Sequence, residues 1–523
     1  MNITANTLVP LVVAIPLLGS ALTLALGRRR PQQIAVSVLA LTAVVVISAV
    51  LLGQVDQSGP AVVHVGGWDA PWGIVLVVDR LSAIMLLISA LMLLGVLLFA
   101  VGQGIVDGDR ETPVSIFHPT YLVLAAGLFN AFIAGDLFNL YVGFEMLLSA
   151  SYVLLTLGGT GARIRVGVTY VIVSLVSSLL FLSAIALIYG ATGTVTMALI
   201  ADRVGDLPAD VQLILNLLLL LAFCVKAAVF PLSFWLPDSY PTAPAPVTAV
   251  FAGLLTKVGI YAIIRTQTLL FPESPLSVPL MVVAFLTMIV GILGALAQAD
   301  IKRLLSFTLV SHIGYMIFGI AMGTQAAITA TIYYVVHHIT VQTALFLCAG
   351  LIERVGGTTS LARLGGLLKA APFVALLFFV GALNLGGIPP FSGFLGKFAL
   401  FQAGAEIGDP AAYIVIAAGA ATSLLTLYAL ARVWNIAFWR SPEEVSDYES
   451  PMLDRLVEDP EDTGTVKTRT ISPLMTGATT ALLALTIALT VFAGPVFGLA
   501  SRAATNIENP STYIDAVFPN GMP

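Results

Sequence analysis

Apolar runs of twenty or more residues, separated by short polar punctuation, recur along almost the whole chain. A helix needs about 20 such residues to cross roughly 30 Å of hydrocarbon. Fourteen candidate spans centre near 5–27, 33–54, 79–102, 116–134, 137–157, 166–190, 211–238, 246–270, 276–298, 304–323, 326–352, 371–404, 411–438 and 471–498. The fourth and fifth part at Gly135-Asp136, because 116–157 is too long for one crossing. The pattern therefore predicts an all-α polytopic membrane protein with about 14 transmembrane helices. Two spans, the seventh and the twelfth, are broken: Pro231 lies in Phe-Pro-Leu-Ser-Phe-Trp-Leu-Pro, and Pro389 and Pro390 lie in Gly-Ile-Pro-Pro-Phe-Ser-Gly-Phe. Proline frees carbonyls that hydrocarbon cannot satisfy, so such breaks persist only where protein or water lines a cavity. Transporters place them near the midplane, in matching positions of two repeats.

This reading divides the chain into N-terminal helices with an outer hairpin (1–115), two five-helix repeats (116–270 and 276–438), a polar loop (439–470), and a last helix with an outer tail (471–523). An odd number of helices per repeat inverts the second relative to the first. Basic residues favour the cytoplasmic side of short loops. Arg28 to Arg30, Arg163 with Arg165, Lys302 with Arg303, and Arg354, Arg363 and Lys369 fall in loops of one parity, which places both termini outside. The first span lacks a basic leader and is followed by Arg28-Arg29-Arg30, so it is expected to be retained rather than cleaved.

Composition excludes the soluble alternatives. Of 523 residues, 58% are hydrophobic and only 10% charged, with a mean hydropathy of +1.00; a water-soluble globule needs far more polar surface. A net charge of −5 argues against nucleic acid as a partner, which requires a basic face. The two cysteines, Cys224 and Cys348, lie in apolar runs and read as small hydrophobes. No phosphate loop, dinucleotide fingerprint, CxxC pair or haem attachment site is present, so no cofactor and no metal is expected, and energy for uphill transport must come from a gradient or another subunit.

Few charges sit where hydrocarbon penalises them, and ionisable groups there mark ion or proton paths. They are Glu145, Lys226, Lys257, His312, the adjacent pair His337 and His338, and Lys397. Snorkelling is the plain alternative for each lysine; the depth of Lys226 and Lys257 in their runs argues against it, and Lys397 is harder to place because its helix is interrupted. Glu145 is expected to pair with a lysine rather than sit protonated. Histidine exchanges protons most readily near neutrality. Consecutive residues point about 100° apart, so a regular helix turns at most one of His337 and His338 toward a path. Asp136, near a helix start, reads as a cap at least as well as a functional group.

Gly135-Asp136-Leu-Phe-Asn-Leu-Tyr-Val-Gly-Phe-Glu145, Lys226 with Pro-Leu-Ser-Phe-Trp-Leu-Pro-Asp238, Pro244-Ala-Pro246, Leu-Leu-Thr-Lys257, and Gly-Ile-Pro-Pro-Phe-Ser-Gly-Phe-Leu-Gly-Lys397 together resemble the antiporter-like membrane subunits shared by complex I and the multisubunit Mrp-type sodium/proton antiporters. The likeness is strongest over 75–435 and closest to the D-type subunits of the Mrp branch. It implies that Glu145 pairs with Lys226, and that Lys257, the histidines and Lys397 continue a central polar axis. Relatives often carry a lysine where Gln342 stands. Some complex I relatives have a glutamate at the Lys397 position, and others continue into a long lateral helix, whereas this chain ends soon after residue 498.

The resemblance implies a secondary transporter subunit, not an enzyme, in a bacterial cell membrane. Its partners would be the other membrane subunits of the same antiporter, the lipid bilayer and protons, with passage of sodium through this subunit left open. Closing and opening of the Glu145–Lys226 pair would tune Lys257 as a donor toward the histidines, with Lys397 as far gate. One charge crossing 100 mV involves about 2.3 kcal/mol, within reach of such pairing. A proton-pumping subunit of a complex I or membrane-hydrogenase type complex is the alternative. A scaffold whose buried charges only fix helix register is a third reading; it predicts that charge removal lowers assembly and transport together.

Overall fold

The computed structural model describes residues 4–104, 106–107, 110–111, 114–441, 444 and 471–522. The expected polar loop 439–470 lies almost entirely outside these residues. Among them, thirteen helices are long and apolar enough to cross a membrane: α1 (Ala5–Ala25), α2 (Arg30–Ser58), α3 (Arg80–Gln103), α4 (Ile116–Ile133), α5 (Leu137–Leu155), α6 (Gly161–Thr192), α7 (Ala209–Ala227), α8 (Ala245–Leu270), α9 (Ser277–Leu296), α10 (Ile301–Met322), α11 (Gln325–Gly356), and, after the interrupted crossing, α14 (Pro410–Trp439) and α15 (Pro473–Val491). The interrupted crossing is made of α12 (Pro372–Gly386) and α13 (Ser392–Ile407).

Side chains sort these helices. Leu18, Leu39 and Leu179, exposed on α1, α2 and α6, would be anomalous in water but suit a surface solvated by lipid. By contrast the apolar windows of α8, α10 and α11 are 100%, 94% and 100% enclosed by the rest of the chain. These three enclosed helices carry Lys257, His312 and the histidine pair. Three helix starts are capped by aspartates: Asp79 accepts the N–H of Ser82, Asp136 that of Asn139, and Asp300 that of Arg303.

Between α2 and α3 the chain forms an antiparallel hairpin, β1 (Ala61–His64) with β2 (Val75–Val78), in the register Ala61 to Val78 and His64 to Val75. The hairpin seats on the start of α5, where the Gly135 N–H donates to Val75 O.

Two stretches match at a constant offset of 164 residues. Gly161–Thr192 and Gln325–Gly356 are both 32 residues long and differ by 164 at each end. Asp136 bridges Thr196, and Asp300 bridges Ser360, again 164 apart at both members. Five helices separate the Asp136 cap from the Asp300 cap, so the two lie at opposite ends of the bundle.

The seventh crossing, expected over 211–238 with a break at Pro231, is broken there, and its helix ends a few residues earlier. Helix α7 stops at Ala227, and Ala228 closes it in the left-handed region at φ 58°. Beyond it come turns and the short helix Leu236–Ser239, because Pro231, Pro237, Pro241, Pro244 and Pro246 each withhold a backbone donor. At the twelfth crossing a full helix resumes after Pro389 and Pro390, as expected. The C-terminal part differs. After α15 the chain bends at Phe492 into α16 (Ala493–Glu508), which packs on α11 rather than trailing as a loose tail.

Candidate functional site

Lys226 is the penultimate residue of α7, held by packing at the break and 8% exposed. Its Nζ donates to Ser178 Oγ at 3.0 Å and to Ser174 O at 3.2 Å. Ser178 Oγ in turn donates to Glu145 Oε1. The expected direct ion pair is therefore replaced by an acid–hydroxyl–ammonium bridge: among the described residues no salt bridge joins Glu145 to Lys226 directly. Serine carries no charge and raises no alarm in an apolar run, so only the α6 spacing Tyr170, Ser174, Ser178 at four-residue intervals could have pointed to it. A cavity of about 20 Å³ beside Lys226 is lined by Tyr170, Ser174, Trp235 and Tyr240, which is room for a water molecule.

Lys257 is wholly buried on α8, and its Nζ donates to Ala252 O at 2.7 Å. Ala252 belongs to a π-helical segment, Phe251–Leu255, just before the lysine. Wider turns of this kind recur at functional sites because they loosen the backbone ladder. Two glycines let α8 sit between its neighbours. A Cβ on Gly259 would lie 2.8 Å from Ala227 N, and one on Gly253 would lie 2.1 Å from Thr343 Oγ1. Lys257 thus stands between the broken end of α7 and the histidine helix α11.

The histidines form one cluster. His312 Nδ1 meets Tyr334 OH at 2.8 Å and Nε2 meets Thr426 Oγ1 at 3.3 Å. The His338 ring lies 5.3 Å from that of His312, while His337 Nδ1 meets Ser392 Oγ at 2.9 Å. Both members of the pair are fully buried and both border Tyr334. The 100° divergence sends His338 toward α10 and His337 toward the break in the twelfth crossing. Gln342 donates to Leu305 O at 2.8 Å, one turn beyond His338. At the 164-residue offset Tyr334, His338 and Gln342 stand where Tyr170, Ser174 and Ser178 stand on α6.

Lys397 on α13 reaches back into that break. Its Nζ donates to Leu385 O (2.9 Å), Gly386 O (3.3 Å) and Ser423 Oγ (3.0 Å), and lies 5.3 Å from the centre of the Tyr315 ring. The carbonyls freed at the end of α12 are the ligands of the ammonium. Pro389 and Pro390 hold this break, and Pro231 sits at the other, where Phe230 N donates to Thr287 Oγ1. Asp136 is apart from the axis, at the hairpin end, as a buried helix cap. Burial pushes its carboxyl up to about 6, against the backbone N–H groups of Asn139, Phe138 and Val75, which pull it down. Among the described residues no His, Cys, Asp and Glu group has a metal-site arrangement.

A membrane-embedded row of lysines and histidines meeting two broken helices defines a class. Residues 134–426 match the family model described as NADH:quinone oxidoreductase/Mrp antiporter, TM, and the chain belongs to this family. Within it, the chain is 39% identical over 516 residues to the D-type Na(+)/H(+) antiporter subunit of Alkalihalophilus pseudofirmus, covering 98% of this chain and 99% of that one. Its fold is similar to a chain of the Mrp complex from a Dietzia species, with a TM-score of 0.88, 32% identity, and coverage of 98% and 100%. It is also similar to a chain of the membrane-bound sulfane sulfur reductase, an archaeal respiratory membrane complex, with a TM-score of 0.84, 25% identity, and coverage of 97% and 99%.

Proposed function

We propose that this chain is a proton-translocating membrane subunit of a multisubunit sodium/proton antiporter in a bacterial cell membrane, with both termini outside. It is a secondary transporter component, and the chemistry it performs is proton transfer. The observation that carries the proposal is the succession Glu145, Ser178, Lys226, Lys257, His338, His312 and His337, Lys397, whose middle members, Lys257 and the histidines, lie on the three most enclosed helices of the bundle.

The end of α7 places the Lys226 ammonium against a hydroxyl whose other neighbour is a carboxylate. With Glu145 ionised, the bridge favours charge on Lys226; when the bridge opens, that charge acts on Lys257 and makes it a better donor toward the histidines. Lys397 holds the far end in its carbonyl cage. Two inverted five-helix units, 116–270 and 276–438, account for the constant offset, and inversion gives each unit its own broken helix and central polar stripe.

A respiratory assignment, as a proton-pumping subunit of a redox-driven complex, draws on the 0.84 TM-score to the archaeal respiratory complex. The 39% identity across 98% of the chain to an antiporter subunit favours the antiporter. Lys226→Ala, assayed in membrane vesicles with assembly checked on a native gel, should lower proton-coupled sodium transport by roughly two orders of magnitude, the scale of a lost proton-transfer group. Undiminished transport in an assembled complex would sink the proposal.

A further inference from the structure

At the hairpin end of the bundle a cleft of about 320 Å³ opens between α11, α13 and α16. Gln325, Gln402 and Glu406 form its exposed rim, and Ala330 and Ala403, nearly fully buried, form its floor. Phe497 of α16 also lines it, and its ring stacks on Tyr333 at 3.9 Å with only 10° between the planes.

Behind that stack the polar atoms continue. Tyr333 OH donates to Leu489 O at 3.0 Å. One turn deeper on α15, Thr486 O accepts from Ser392 Oγ at 3.4 Å, and the same Ser392 Oγ meets His337 Nδ1 at 2.9 Å. His337 Nε2 and the Asn384 side-chain nitrogen, both fully buried, have no hydrogen-bond partner there. In an apolar surround such orphaned groups carry a desolvation penalty, which persists where water or a transferred proton visits them.

We propose that this cleft and the seam behind it are the outlet joining His337 to the hairpin face, and that the Tyr333–Phe497 stack is its gate. The proposal rests on the proton-transfer reading and adds where the path leaves the protein and which residues close it. Protons, or the hydrated monovalent cation exchanged for them, would pass the rim carboxylate Glu406, the displaced Phe497 ring, and Ser392. Other charged groups around α16 act as a strap rather than as path members: Arg502 pairs with Asp56 at 2.7 Å, and Asp56 also holds Arg80. Helix α16 therefore runs from the bend at Phe492 to this ionic anchor, with Phe497 between the two.

The test uses the assembled complex with Cys224 and Cys348 replaced by serine, and Ala330→Cys added at the cleft floor. A membrane-impermeant cationic thiol reagent applied from the hairpin face should label this position and lower sodium-coupled proton transport at least tenfold, and adding Phe497→Ala should speed the labelling several-fold. Each cysteine variant before reagent is its own control for folding, and Gln402→Cys at the rim serves where Ala330→Cys does not assemble. Complete labelling with undiminished transport, or no labelling at either position, overturns the outlet. Lys226→Ala run alongside separates the two claims: an active Lys226→Ala complex defeats the proton-transfer reading itself, whereas an inactive one with an indifferent cleft defeats only the outlet.

Discussion

The two halves of the bundle compensate a buried lysine by different means. In the first half Lys226 answers to a carboxylate, through Ser178 and Glu145, and in the second half Lys397 answers only to backbone carbonyls and a hydroxyl. A carboxylate can be neutralised and so can switch the charge state of its partner; a carbonyl dipole cannot. The same difference appears on the central helices. Where α6 offers Tyr170, Ser174 and Ser178, α11 offers Tyr334, His338 and Gln342, so a carboxylate stands next to the lysine's hydroxyl partner in the first half, and an imidazole and neutral groups line the second. Under the proposed proton transfer, this contrast would put switching in the first half and conduction in the second.

The largest effect that would break this contrast is expected at Lys397. Lys397→Ala should reduce transport in vesicles by about a hundredfold or more, while Lys397→Arg, which keeps the charge but not the compact ammonium that fits three acceptors, should recover only part of it. Full activity in Lys397→Ala would remove the second half from the path. An intermediate effect is expected at Ser178. Losing a hydrogen bond to charged groups is worth about 1.5–3 kcal/mol, so Ser178→Ala should slow transport by roughly tenfold or more, and Ser178→Thr, which keeps the hydroxyl, should come within about twofold of the parent. Equal loss in both variants would point to packing rather than to the bridge. The smallest effect concerns the cap at Asp136. Its folded-state value near 6 lies above the ordinary 3.8, so its contribution to stability is fully present below about pH 3.8 and is lost as pH rises through 6. Asp136→Asn keeps the cap acceptor and should raise stability at pH 7, read as a higher melting temperature that no longer varies between pH 4 and 6 at this site.

What the sequence made legible is what hydrocarbon penalises. Run length located the crossings, since few other folds accommodate such segments, and Glu145, Lys226, Lys257 and Lys397 stood out because a charge in an apolar run demands a partner. The proline pairs exposed the break at Pro389 and Pro390 for the same reason. Features that cost little in hydrocarbon stayed hidden. Ser178 is one, being a small hydroxyl that a helix accepts by bonding its own backbone. The π-helical turn before Lys257 is another, because an evenly apolar stretch has no periodicity from which a change of pitch can be read. The early stop of α7 at Ala228 depends on a left-handed alanine held by tertiary packing, which no local rule anticipates. Helix α16 was missed because a segment with one apolar face and Arg502, Asn506 and Glu508 on the other resembles a polar tail until its partner α11 is in place.

The proposed division of labour between the halves is tested most directly at Glu145, whose carboxylate has no counterpart among the partners of Lys397. Proton and sodium fluxes measured together in liposomes reconstituted with the whole complex should both fall, by about tenfold or more, when Glu145→Gln removes the switchable charge and leaves a hydrogen-bonding amide beside Ser178. Fluxes equal to those of the parent complex, at equal amounts of assembled protein, would contradict the account.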